Sequence, residues 1–349
     1  MVKPIPGTVT DPAGRSATVH RAWPGRDGVL TFEARENDGG LVRAGFIDAR
    51  DTVTLVPYGQ DPVLAGLGTA AEAGDLLVHR YGKRAVVRVS DGYRKVLPPG
   101  KAASVASAYG RLRGLAAAAG VETPDVVATG PRSLTLSPVR GESFSTLGVE
   151  FPGKSGRERW EQAWELWTRQ WPVLAVPPAG PALTVHSSAD ECATVWQWVS
   201  HCASFGQLRV EPAELKRAAL HVEGLLLSGT PQPPVLAHRD LHDQQVFHSA
   251  EHGTIGLIDG DTLAIAEPAL DLANLLVHLE FRRWQGLLSA AAEDTAAKAI
   301  LDTASVMEVP EDRLRAYAAS TRLRLACVYS FRPPYRELAE EWAKHMVGT

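Results

Sequence analysis

The stretch VLAHRDLHDQQV (residues 235–246) sets two His, an Arg, two Asp and two Gln directly behind three apolar residues. Close behind it comes TIGLIDGD (residues 254–261), a short apolar run that ends on Asp259 and Asp261. Apolar runs of this length bounded by turn residues read as buried strands. The pair is therefore a strand, a polar loop and a second strand, with ionisable groups gathered on one turn, and it decides the fold.

The text on either side is helical. EPALDLANLLVHLEF opens on a Pro and begins a run of helices that lasts to the end of the chain. Upstream, GRERWEQAWELWTRQW places Trp160, Trp164 and Trp167 on one helical face by its three- and four-residue steps. ADECATVWQWVSHCASF and EPAELKRAALHVEGLLLSG read as two more helices, the second with an acidic first turn and a Gly stop. Before residue 155 the pattern is β. LLVHRYG, RAVVRVS and GYRKVL are short strands, AASVASAYGRLRGLAAAAG is an Ala-rich helix ending at Gly120, and two more strands follow by residue 143. Gly28 to Gly59 forms an earlier β group, and the first fifteen residues, rich in Pro and Gly, read as frayed. This is an α+β, two-lobed layout without internal repeats. The boundaries fall at a β-rich extension (1–60), a β-rich N-lobe (61–140) and a helical C-lobe (141–349).

Composition narrows the partners. Of the 349 residues 45% are apolar and 22% charged, an ordinary soluble globular balance with room for a sizeable core. A net charge of −4, from 36 basic against 40 acidic residues, leaves no global basic field for nucleic acid or an anionic membrane. Three cysteines, Cys192, Cys202 and Cys327, with no C-x-x-C spacing, argue against a disulfide framework or a structural zinc. No signal-peptide pattern opens the chain and no apolar run is long enough to span a bilayer. The expectation is a cytoplasmic protein, monomer or homodimer, with small-molecule partners.

His238-Arg239-Asp240, then Gln245, then Asp259 closing an apolar run, resembles the core of the protein-kinase-like fold, closest to the aminoglycoside phosphotransferase and choline kinase family. That family's H-x-D-x-x-x-x-N loop is H-R-D-L-H-D-Q-Q here, and its strand ending in I-D is TIGLID. Its G-D-P-x-x-D-L-A segment corresponds to EPALDLANLL, with Glu267-Pro268 at the Asp-Pro and Asp271 at the last Asp. The resemblance extends over roughly residues 75–330 and is strongest in 238–272.

The resemblance implies a phosphotransferase that moves the γ-phosphoryl of ATP or GTP, with Mg2+, to an alcohol. Asp240 would accept or orient the acceptor proton, with His238 bracing the loop and Arg239 beside it. Gln245 and Asp259 would offer the hard oxygen ligands that Mg2+ prefers, and Asp261 reads as a further metal helper or a solvated turn. Gln stands where most of the family has Asn; maltokinase-like members are similar in carrying Gln there. Lys95 corresponds to the lysine on the nucleotide phosphates, with Lys101 as the second candidate, since the helix that should supply its Glu partner contains no acid. The turn at Gly82 would cover the phosphates and the hinge at Pro138 and Val139 would read the base. Asp271 is expected to brace the loop. His242 and Asp243 would lie beside the acceptor, and His248 and His252 at the surface.

The acceptor expected is a sugar-bearing antibiotic of aminoglycoside or nucleoside type, whose phosphorylation would confer resistance, or a free sugar as in the maltokinase-like group. Trp164, Trp196 and Trp284 are candidate stacking residues, although helical Trp is more often core. Three rivals stand beside this reading. GVEFPGKS (148–155) satisfies the P-loop pattern, but the polar, broken GESFSTL before it is not the buried strand a P-loop requires. His238 and His242 alone do not close a zinc site. The Gln245 substitution and the missing helix Glu motivate a non-catalytic kinase-like binding protein, which the presence of both Asp240 and Asp259 opposes.

Overall fold

The computed structural model describes residues 5–177 and 183–348. The first sheet is an antiparallel meander of β1 (Thr8–Thr10), β2 (Ser16–Pro24), β3 (Leu30–Glu36), β4 (Val42–Ile47) and β5 (Val53–Leu55), ordered as in the chain. Alternation builds it: Ala17 and Val19 of β2 and Leu30, Phe32 and Ala34 of β3 are buried. The expected frayed start is a correction. β1 pairs with β2, Ile5 and Val9 are buried, and Asp11 takes the N–H groups of Ala13 and Arg15, each at 3.0 Å. Met1–Pro4 lie outside the described residues. β2 itself lacks a clean period-two signal because its pairing with β3 slips between Val19 and Arg21, which breaks the alternation a sequence reader counts.

A short helix α1 (Leu67–Glu72) leads into the second sheet. That sheet contains β6 (Asp75–Arg80), β7 (Arg84–Val89) and β8 (Gly92–Val96), and, beyond helix α2 (Ala102–Ala118), β9 (Val126–Thr129) and β10 (Ser133–Leu136). All pairs are antiparallel, in the order β6-β7-β8-β10-β9.

The C-terminal part is mainly helical. β11 (Glu142–Ser143), α3 (Phe144–Val149), α4 (Lys154–Leu174), α5 (Ser188–Phe205) and α6 (Pro212–Ser228) precede the motif region. There β12 (Val235–Ala237), β13 (Val246–Ser249), β14 (Thr254–Leu257) and β15 (Ala264–Ala266) form two small sheets, β11-β13-β14 and β12-β15. Helices α7 (Pro268–Trp284), α8 (Ala290–Val306), α9 (Glu311–Ser330) and α10 (Arg336–Gly348) complete the fold. The Trp spacing in α4 works as core. Trp160, Trp164, Trp167 and Trp171 contact one another in sequence at ring separations of 5.5, 5.4 and 5.7 Å, all buried. Trp196 donates to Glu223 and Trp284 packs edge-on to Trp342. Cys192, Cys202 and Cys327 are buried free thiols, and no helix among the described residues is long and apolar enough to cross a membrane.

The N-terminal sheet touches both halves. Ala22 N–H donates to the Phe331 carbonyl at 2.8 Å, and Glu33 accepts the His79 N–H of β6 at 2.7 Å. The segment GVEFPGKS ends α3 and begins α4 rather than following a strand. The Lys154 side chain, 91% exposed, points into solvent. His248, expected at the surface, is instead buried on β13 opposite Glu142, and burial lowers the pKa of its imidazole. His252 is exposed.

Candidate active site

β12 delivers the polar loop and α7 holds it. The backbone N–H groups of His238 and Arg239 donate to the two carboxylate oxygens of Asp271, at 2.6 and 2.8 Å. Burial pushes the Asp271 carboxyl above its usual range, against the pull of His238 and of those two amides. One turn along α7, the Asn274 amide donates to the Leu241 carbonyl at 2.7 Å, and Arg324 binds the Asn274 oxygen. The His238 ring donates through Nε2 to the Ile258 carbonyl at 2.8 Å, and the Thr262 hydroxyl donates to the His238 carbonyl at 2.8 Å. The loop and the segment carrying Asp259 are therefore stitched together from both sides. Arg239 (φ 67°) and Asp259 (φ 62°) both sit in the left-handed region. Non-glycine residues are held there at a cost, a strain that clusters at functional sites.

Asp240, at the loop tip, makes no hydrogen bond or ion pair among the described residues. Its charge acts on His242 and Asp271. Two residues further, His242 is stacked on His278 at 4.9 Å, and burial lowers its pKa. Gln245 places its amide nitrogen 3.3 Å from Nε2 of His242.

Across the lobes, the Lys95 ammonium on β8 donates to Asp259 and Asp261, each at 2.7 Å, and to the Tyr109 hydroxyl of α2 at 3.0 Å. Burial opposes its charge, but Asp259, Tyr109 and Asp261 more than offset that and hold the lysine charged. For Asp259, burial pushes the carboxyl up, and Lys95 and Arg84 pull it below its usual range. Arg84 approaches Asp259 and Asp261 at 3.7 and 3.6 Å. The helix without a glutamate thus contributes a tyrosine, and Asp261 supplies the second carboxylate. Gly260 between the two acids lets α2 pack closely, because a Cβ there would lie 2.7 Å from a terminal methyl of the buried Leu112, which would have to shift.

A cleft of about 310 Å³ lies between the second sheet and this cluster, lined by Lys95, Arg84, Pro138, Val139, Gln245 and Asp259 among others. It combines the mutually paired Lys95, Arg84 and Asp259 with apolar side chains such as Val86, Leu136 and Phe247, the form of a small-molecule site. Lys101 is exposed at the start of α2 and is not among the residues lining this cleft.

Two expected site residues need correction. Gly82 adopts the left-handed turn, yet its N–H donates to Asp61 at 2.7 Å, so the hairpin contributes Arg84 to the cleft rather than a free amide. Asp243 does not face an acceptor; it is 2% exposed and accepts from Arg282 at 3.0 Å. Tyr109, Arg84 and Asn274 were not anticipated. None carries a motif, and each reaches the site through tertiary packing.

The model of the phosphotransferase enzyme family (APH) matches residues 75–309. Among solved structures, the aminoglycoside phosphotransferase APH(3'')-Id of Streptomyces rimosus superposes with a TM-score of 0.53 at 20% identity, over 75% of this chain and 96% of that one. A choline/ethanolamine kinase family protein of Mesorhizobium loti gives 0.50 at 15% identity, over 81% and 94%. The gentamicin complex of APH(2")-IIa gives 0.52 at 12% identity, over 81% and 94%. No curated protein matches the chain. These likenesses establish a protein-kinase-like α+β fold, and the family match spans more than half of the sequence: the chain belongs to the phosphotransferase enzyme family.

Proposed function

We propose that the protein is an O-phosphotransferase that moves the γ-phosphoryl of ATP or GTP to a hydroxyl of a small, sugar-bearing molecule, either an antibiotic or a free sugar. The observation that carries the reading is the pairing of an unengaged Asp240 with an Asp259 anchored by Lys95, both stitched into one framework by His238. A carboxylate with no protein partner is available to accept or orient an acceptor proton. Asp240 takes that role, and the Asp271 grip on the two preceding amides fixes where it points. His238 and Asp271 are positioning residues. Arg239 is also placed by that grip, its backbone N–H held by Asp271.

Lys95 faces the donor phosphates, with Asp261 and Tyr109 holding it in place of a helix glutamate. Pro138 and Val139 line the same cleft, where the base would lie. Gln245 and Asp259 share the cleft and offer an amide and a carboxylate oxygen, the hard donor set that Mg2+ accepts beside phosphate oxygens. Mg2+ held there would neutralise charge developing on the transferred group. His242, stacked on His278 and against Gln245, orients that amide.

A nucleotide-consumption screen tests the reading. Run with ATP and GTP in parallel against antibiotics and sugars, it should show turnover that depends on both an acceptor and Mg2+ and stops on chelation. Nucleotide binding without turnover across the screen, with Asp240→Ala indistinguishable from wild type, would favour a non-catalytic binding protein.

A further inference from the structure

A line of arginines leaves the donor cleft and ends beside the catalytic loop. It begins at Arg84, which faces Asp259 and Asp261. Arg80, at the end of β6, lies over the Trp23 ring of the N-terminal sheet at 4.9 Å, and Arg21 of β2 lies over the same ring at 5.1 Å. The adjacent Ala22 N–H binds the Phe331 carbonyl at 2.8 Å, which brings β2 beside Arg332. Arg332 lies over the Tyr329 ring at 3.9 Å, and its guanidinium feels Arg21 and Arg282. Arg282 reaches Asp243 in the catalytic loop, and Arg282, Arg324 and Arg332 all act on the buried His278 that stacks on His242.

The acids along this line do not balance it. Glu33 serves Arg21, Asp243 serves Arg282, and the donor-site acids serve Arg84. Glu191 and the Asn274 oxygen serve Arg324, and among the described residues no carboxylate pairs with Arg80 or Arg332. Burial, with Arg84 and Arg21 nearby, lowers the Arg80 guanidinium to about 10. Among the described residues, Arg80 Nε and His278 Nε2 are buried without a hydrogen-bond partner. Like charges gathered into partial burial repel one another and lose hydration, and such a cluster gains most from an oxyanion that several guanidinium groups can bind at once. Only Arg84 of the line belongs to the nucleotide cleft, so the remainder is not needed to hold the donor.

We propose that this arginine arc, built from the N-terminal sheet (Arg21), the β6 end (Arg80) and the C-lobe (Arg282, Arg332), binds an oxyanion on the acceptor. The acceptor is then a hydroxyl compound that already carries a phosphate or carboxylate group, and cationic acceptors are disfavoured. The inference rests on the phosphotransferase reading above. It also gives the N-terminal sheet a task, since Arg21 and the Trp23 platform come from it.

Binding is measured by calorimetry on the full chain with inorganic phosphate, glucose 6-phosphate, gluconate, glucose and kanamycin, at constant ionic strength set with chloride. The first two or the third should bind saturably and in preference to glucose and kanamycin; phosphate against carboxylate preference identifies the group. Arg332→Met and Arg80→Met should each weaken that binding about tenfold and leave ATP affinity unchanged. Arg332→Lys, which keeps the charge and the fold, should recover part of it. Equal binding of glucose, tighter binding of kanamycin, no anion binding beyond chloride, or variants that weaken only ATP would each overturn the proposal. Anion binding without acceptor-dependent turnover would leave the arc standing and remove the kinase reading; turnover on uncharged or cationic acceptors alone would do the reverse.

Discussion

Lys95 carries three hydrogen bonds that no neighbouring residue in the sequence announces. Its place on a strand after a hairpin was legible; its partners were not, because Tyr109, Asp259 and Asp261 are brought in from 14 to 166 positions away. The chain meets the need for a counter-charge with what the fold supplies. Stability should follow from it. Asp259 has its pKa lowered on folding, so its contribution is present above the ordinary carboxylate value and lost as pH falls through the lower folded value. The resistance of wild type to chemical denaturation should weaken from about pH 4 downward, and Asp259→Asn should flatten that limb. An unchanged slope would show that the Lys95 pairing adds nothing to the fold. Asp243 illustrates the opposite failure of sequence reading. A charged residue on a catalytic-looking loop was expected to face substrate, but Arg282, 39 positions on, draws it inward.

At the level of elements, helix α7 was readable from EPALDLANLL, and its Asp271 works as the sequence suggested, as a brace on the polar loop that follows β12. Two charge-assisted hydrogen bonds to a fully buried carboxylate make that brace strong. Asp271→Ala should cost about 3 kcal/mol in urea unfolding and lower kcat while sparing nucleotide affinity. A variant of wild-type stability would mean that the loop holds itself. Glu267, matched to the family's Asp, proves to be an anchor for Arg313, Ser188, Tyr317 and the Gln232 amide. The strands were legible wherever alternation was clean. β2 was not, since the slip between Val19 and Arg21 scrambles its period. β1 was not either, because three residues with one buried side chain give no pattern to count.

Across the whole molecule, the two-lobed plan could be read from the order of strands and helices, whereas the placement of the N-terminal sheet could not. Its Ile5, Val9 and Phe32 join the same apolar core as the C-lobe helices, through contacts more than 300 residues apart such as Arg336 to the Ile5 carbonyl. One cooperative unit is the consequence. Phe32→Ala should cost about 3 to 5 kcal/mol and lower the melting temperature of the entire chain in a single calorimetric transition. Two separate transitions would show the sheet to be an independent appendage. The central claim remains the division of labour between Asp240, left open to an acceptor alcohol, and Asp259, held by Lys95 on the donor side. The direct measurement is turnover and ATP affinity for Asp240→Asn beside Lys154→Ala. The account predicts that Asp240→Asn loses about 10²- to 10⁴-fold in kcat with ATP affinity unchanged, and that Lys154→Ala behaves as wild type; a fully active Asp240→Asn, or activity that collapses with Lys154, would contradict it.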